Sequence, residues 1–176
     1  MTILSGTTIK RNIKIFILFL IVALLLDQVS KIFVISILNP FDPPRDIIGS
    51  IIRFKLAFNP YGVFSIQFGP KFLYYVLNIV GITAFTFIGL SQETKVGVAV
   101  WALIIGGALG NFLDRLRMKY VIDFIDMGFG NYRWYVYNLA DAFITVGIVT
   151  LIARELFSKK PGPVKIPEAT PPEPKP

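Results

Sequence analysis

Four long apolar stretches alternate with segments of a different kind. A helix that crosses a bilayer needs about 20 largely apolar residues. Residues 13–38, 72–90, 96–113 and 134–153 meet or approach that length. The second and third carry no charge. The first is clean over 15–26 and is then interrupted by Asp27, Gln28 and Lys31, while the fourth holds Asp141 as its only charge. This pattern predicts four transmembrane helices. Residues 38–71 contain Pro40, Pro43, Pro44, Pro60 and Pro70 together with the run IIRFKLAF at 51–58. Apolar and basic positions partly alternate there, which predicts a small β-rich outer loop rather than a helix. Residues 90–95 read as a tight turn. Residues 114–135 mix charges with aromatics and predict an interfacial helical segment. The Pro-rich, polar stretch 161–176 predicts a disordered tail. The expected fold is an all-α membrane protein of four helices over 1–160, with outer loops at 39–70 and 114–135.

Composition supports that reading and narrows the chemistry. The 176 residues are 54% hydrophobic and 16% charged, against about 25% charged in an average soluble domain. There is no His and no Cys. Ser-His and Cys-His nucleophiles, thiol redox chemistry, disulfides and Cys/His zinc sites are therefore excluded. The net charge of +7 suits an anionic membrane surface better than nucleic acid in a chain this apolar. Lys10, Arg11 and Lys14 precede the first stretch, and Arg154, Lys159, Lys160 and Lys165 follow the fourth. The bias of basic residues towards the cytoplasm then predicts that both termini lie there. A basic start followed by an apolar run also fits a secretory signal, but no small-residue cleavage site follows. Helix one is expected to be retained.

Charged side chains in membrane segments are costly and usually paired or functional. The acids near the spans are Asp27, Asp114, Asp123, Asp126 and Asp141. Asp141 stands about one turn after Asn138, with Ala140 and Ala142 leaving room beside it. Two readings are open for it, an Asp near the start of a helix favoured by the dipole and a functional acid. Asp123 sits in the apolar run VIDF, where an acid pays for desolvation unless it has a partner. Asp126 is expected to face water. Two facing carboxylates share a proton, the arrangement with which an aspartic peptidase activates water. In a chain without imidazole or thiol, Asp123 and Asp141 are the pair that fits. Asn111, Asp114 and Arg115 share a helix face behind the small-residue pair Gly106 and Gly110, a spacing that permits tight helix packing. Asp114 and Arg115 read as an interface anchor that supports the site. Asp27 and Lys31, four residues apart, read as an ion pair at the membrane edge. Asn59, by itself, reads as a turn former.

These blocks resemble lipoprotein signal peptidase (signal peptidase II), a family of bacterial membrane aspartic peptidases. Asp27-Gln28 with Lys31 is similar to its first motif and residues 59–64 to its outer-loop motif. GGALGNFLDR (106–115), VIDF (121–124) and YNLAD (137–141) are similar to its last three, in the same order. The resemblance implies that Asp123 and Asp141 are the catalytic dyad. Asn59, Asn111, Arg115, Asn138 and Ala140 would line or support the substrate site. Asp27, Lys31, Asp114 and Gly107 would hold the helix packing and its polar scaffold. It implies an aspartic endopeptidase of the bacterial inner membrane, with no metal or other cofactor and its site near the outer face. The implied substrate is a prolipoprotein whose Cys carries diacylglycerol, cut just before that Cys. Membrane lipids and globomycin-type inhibitors are the other implied partners, nucleic acid is not, and a monomer is expected. Two positions depart from the family's usual pattern. Tyr61 stands where Gly is usual, with Gly62 one residue later, and Lys119 stands where Gly is frequent. Two further readings are a small transporter or channel, in which intramembrane acids form a proton relay, and a non-catalytic assembly or scaffold protein whose Gly106/Gly110 face binds a partner helix.

Overall fold

The computed structural model describes residues 5–60 and 71–157. In chain order the elements are α1 (Gly6–Ile37), β1 (Arg45–Ile48), β2 (Ile52–Asn59), α2 (Lys71–Leu90), α3 (Lys95–Met118), β3 (Val121–Phe129), β4 (Tyr132–Arg133) and α4 (Leu139–Phe157). Local chemistry sets several boundaries. Ser5 caps α1 by accepting from the Thr8 N–H, and α1 ends two residues before Asn39, where Pro40 disfavours helical backbone in the residue preceding it. Thr94 caps α3 in the same way, accepting from the Gly97 N–H. The turn between α2 and α3 is tied by Asn12, whose buried amide donates to the carbonyls of Leu90 (2.9 Å) and Gln92 (2.8 Å). The Leu90 carbonyl is one that a helix end leaves without a partner of its own, and Gln92 lies in the turn itself.

Among the described residues, three helices are long and apolar enough to cross a membrane: Gly6–Ile37, Phe72–Leu90 and Lys95–Met118. Their outward faces carry exposed Leu18, Leu25, Ile32, Leu77 and Phe87, an apolar surface that lipid rather than water covers. The fourth helix, α4, has 19 residues and includes Asp141, Arg154 and Glu155. It starts later than its apolar stretch: residues 134–138 are not helical, and Tyr137 forms a bridge to Ile125.

Close approach of the helices rests on glycines of α3. A methyl group at Gly106 would meet the Ala23 side chain at 2.7 Å and the Leu20 carbonyl of α1, and one at Gly107 would strike the Ala140 carbonyl of α4. One at Gly110 would strike the Asp27 carboxylate. α3 is therefore the central helix, with α1 and α4 seated against successive glycines. Phe16, Val98, Ala102 and Ile105 form a core between α1 and α3.

The four strands form one antiparallel sheet in the order β1-β2-β3-β4. It packs on the end of α1, where Val34 and Leu38 meet Leu56, Ile122 and Phe124. The interfacial helical segment expected over 114–135 is absent. α3 runs on to Met118, and the next residues pair with the outer loop as β3 and β4. Val121, Ile122, Asp123 and Phe124 are all buried. Strands covered on both faces lose the alternation that reveals a strand in sequence. Residues 61–70, with the Tyr61/Gly62 departure, and the tail 161–176 lie outside the described residues.

Candidate active site

The last turns of α3, the first turn of α4 and the middle of β3 converge at one end of the bundle. Tyr137 exchanges two backbone hydrogen bonds with Ile125 of β3, at 2.7 and 3.0 Å. This brings Asn138 beside Asp123. Asn138 then starts α4: its side-chain oxygen accepts from the Asp141 N–H (3.0 Å), while the Asp141 carboxylate accepts from the Asn138 N–H (3.3 Å). This reciprocal capping box satisfies two N–H groups of the helix start. It also fixes the Asp141 carboxyl at the positive end of the α4 dipole.

Two amides join the two carboxyl groups. The Asn138 amide donates to Asp123 Oδ1 at 2.7 Å, and the Asn111 amide donates to Asp141 Oδ1 at 2.8 Å. Asn111 Oδ1 accepts from Lys31 Nζ (3.1 Å) and from the Asn138 amide (3.0 Å). With its oxygen occupied by two donors, Asn111 presents its NH2 group to Asp141. Asp123 is 4% exposed and its carboxyl is pushed up to about 7. Burial is the largest cause and the nearby Asp141 carboxylate the next, while hydrogen bonds from Asn138 and Asn59 oppose them. Asn59 is the last residue of β2, not a turn. Its register opposite Val121, with Ala57 opposite Asp123, puts it on the face of the sheet that carries Asp123.

Below this pair lies a buried charge network. Lys31 Nζ is 2.8 Å from Asp27 and 2.7 Å from Asp114, and all three residues are at most 2% exposed. Gln28 donates to Asp114 (3.0 Å) and Asp27 (3.1 Å). Asp27 Oδ1 accepts from the Ala140 N–H at 3.0 Å, so α1 caps α4. Asp27 and Lys31 are therefore not a pair reaching for the membrane edge. Their charges are enclosed because α3 supplies Asp114 and α4 supplies an N–H. Arg115 is buried, with its guanidinium 5.0 Å over the Tyr74 ring and Nη1 donating to the Asn111 carbonyl.

Comparison with known proteins shows the family to which the chain belongs. The model of the family described as signal peptidase (SPase) II matches residues 19–157. The chain belongs to the signal peptidase II family. Its relatives include the lipoprotein signal peptidase of Psychromonas ingrahamii, 33% identical over 153 residues (84% of this chain, 87% of that protein). That of Pelagibacter ubique is 34% identical over 156 residues (84% and 93%). That of Francisella tularensis subsp. novicida is 37% identical over 120 residues (64% and 74%). A solved bacterial membrane enzyme shares the fold with a TM-score of 0.71 and 24% identity, over 82% of this chain and 94% of that one.

Among the described residues, those to which the resemblance gives a role fall in or directly behind this site. Asp123, Asp141, Asn59, Asn111 and Asn138 meet around the two carboxyl groups. Asp27, Lys31, Asp114, Gly107 and Ala140 hold the helices beneath them. Lys119, where the family often has Gly, ends α3 in the left-handed region (φ 69°, ψ 6°). A Gly at this position is explained by backbone conformation, and this chain accepts the strain with Lys. Sequence reasoning passed over Gln28 as a bridge between Asp27 and Asp114, and Tyr74 as the ring under Arg115. The signal for Gln28 was its place in the first motif. Tyr74, in an apolar run, gave none. Asp126 was expected in water. It is 3% exposed and lies between Arg53 (2.6 Å) and Arg133 (2.9 Å).

Proposed function

We propose that this protein is a lipoprotein signal peptidase, an aspartic endopeptidase that removes signal peptides from prolipoproteins with Asp123 and Asp141 as its dyad. The observation that carries the reading is the pair of carboxyl groups joined through Asn138 and Asn111, one of them pushed up to about 7. Such a pair holds one proton near neutral pH and so offers an acid and a base together. Asp123 keeps the proton at rest and hydrogen-bonds the scissile carbonyl. Asp141, ionised, takes a proton from water as the water oxygen bonds to the carbonyl carbon. The C–N bond then breaks, the leaving amine receives the proton held by Asp141, and the new carboxyl group forms. Asn59, Asn111, Arg115, Asn138 and Ala140 line or support the substrate's position.

The substrate class follows from family and membrane together: a prolipoprotein whose Cys already carries diacylglycerol, cut just before that Cys. Its acyl chains stay in the bilayer while the extended backbone enters between the helix ends and the sheet, and globomycin-type inhibitors occupy the same place. The chain crosses the bilayer four times as a monomer, in one unit over 1–160. At about 1.5 Å per residue, α4 is about 28 Å long, close to the hydrocarbon thickness of about 30 Å. Lys10, Arg11 and Lys14 stand at the other end of α1 from Asp27, which supports cytoplasmic termini and a dyad near the outer face of the inner membrane. The test is cleavage of a diacylglyceryl-modified prolipoprotein peptide by the purified chain in lipid. A single cut before the modified Cys is expected, with the unmodified peptide left intact. No cut by well-folded protein would overturn the proposal.

A further inference from the structure

At the end of the bundle away from the two carboxyl groups, a cavity of about 560 Å³ opens between the starts of α1 and α3. Thr7, Lys10, Arg11, Lys14, Ile15 and Lys95 line it, four cations and no acid. Thr7, Lys10, Arg11 and Lys14 are spaced three and four apart, so they share one face of α1. Like charges at that spacing destabilise a helix, and Lys95 of α3 adds a fourth. Among the described residues none of the four has a carboxylate within ion-pair distance. Glu93, the acid nearest in sequence to Lys95, meets Arg11 through its backbone carbonyl (3.1 Å). Arg11 is held in place, because its Nη2 and Nε also donate to the Asn12 side chain at 3.0 and 3.3 Å. Asn12 is itself fully buried and fastened to the α2–α3 turn. Of the four cations, Arg11 is thus the one held on a fixed scaffold, and Lys10, Lys14 and Lys95 are exposed around it. Ile15 lies further into the bundle than the α1 cations, and exposed Ile13, Ile17 and Leu18 continue along α1.

We propose that this cavity binds the phosphate of an anionic phospholipid in the membrane leaflet on that side. The cations surround the headgroup, and the acyl chains run along the apolar face of α1. The ligand chemistry is a phosphate monoanion or diester. The apolar wall that begins where the cations stop selects a lipid over a soluble phosphate. Arg11 and Asp27 are 16 residues apart, about 24 Å along the helix, so the two sites are separate.

The test uses the full chain in neutral detergent. Binding of dioleoylphosphatidylglycerol, dioleoylphosphatidylcholine and inorganic phosphate is measured by native mass spectrometry and by the shift in thermal unfolding midpoint. Phosphatidylglycerol is expected to bind and raise the midpoint, and the other two are not. Lys10→Gln, Lys14→Gln and Lys95→Gln should each weaken phosphatidylglycerol binding by about fivefold. Lys→Arg at the same positions should retain it. Lys55→Gln, an exposed cation on β2 at the other end, should leave it unchanged. Equal binding of the two lipids, or equal loss from Lys55→Gln, would overturn the proposal. Binding of inorganic phosphate as tight as that of phosphatidylglycerol would assign the cavity to a soluble anion instead.

Discussion

Asp123 and Asp126 stand three residues apart on one strand and are almost equally buried, at 4% and 3% exposure. Their chemistry diverges completely. Asp123 is pushed up to about 7 by burial and by the Asp141 carboxylate. For Asp126, burial also pushes upward, but hydrogen bonds and charges from Arg133 and Arg53 outweigh it and hold the carboxyl below its usual range. Residues at odd spacing project to opposite faces of a strand, so each acid meets a different set of donors. Asp126 meets two guanidinium groups from β2 and β4, and Asp123 meets the neutral amides of Asn138 and Asn59. Burial alone does not make a carboxyl reactive. Neutral donors position an acid without forcing it to ionise, whereas cationic donors lock it as an anion. The first arrangement keeps a proton available, and the second clamps three strands together.

The largest effect should come from removing the titrating pair. Asp123→Asn and Asp141→Asn should each lower kcat for the prolipoprotein peptide by about 10³-fold or more. Asp126→Asn should leave most of the turnover in whatever fraction folds. Because the folded-state value of Asp123 lies above its ordinary 3.8, the group supports folding at low pH. That support is lost as pH rises through about 7. Asp123→Asn should therefore unfold at a higher temperature than the parent at pH 8 and not at pH 3, read by thermal denaturation. Next comes Lys31→Met, which leaves Asp27 and Asp114 buried without their cation and should cost about 3–5 kcal/mol. Lys31→Arg should restore part of it, measured by denaturation in detergent. Loss of the Asp123 proton should reduce kcat/KM about tenfold per pH unit above about 7. A rate that stays flat to pH 9 would remove the contrast with Asp126. Arg133→Gln leaves Asp126 with a single cation and should cost about 2 kcal/mol, raising the Asp126 titration midpoint seen by carboxyl 13C NMR. The smallest effect is expected at Lys119→Gly, which relieves left-handed strain at the entry to β3 and should gain about 1 kcal/mol.

Reading the chain alone recovered α1, α2 and α3 because long apolar runs have few competing structures in a membrane protein. It singled out Asp123 and Asp141 because an acid in VIDF or inside an apolar run is conspicuous. It missed β3 because Val121, Ile122 and Phe124 are buried around Asp123 and leave no period-two signature. It placed the start of α4 too early, since Trp134 to Tyr137 are as apolar as a helix but are spent on pairing with β3. It assigned Asp126 to water because neither Arg53, 73 residues away, nor the turn that returns Arg133 can be seen locally. The same holds for Lys31: its i, i+4 partner Asp27 was evident, while Asp114 and Asn111 arrive only with the fold.

The Ala140 N–H reaches back 113 residues to the Asp27 carboxylate, which gives the site a timetable. During synthesis α1 enters the bilayer long before α4 exists. Asp27 and Lys31, one turn apart, can neutralise each other within that single helix until α3 brings Asp114. A nascent chain stopped anywhere before residue 139 has no Asp141, no capping box and no Ala140 N–H for Asp27. The candidate site thus joins the first and last helices to be made, and it is complete only once both are in place.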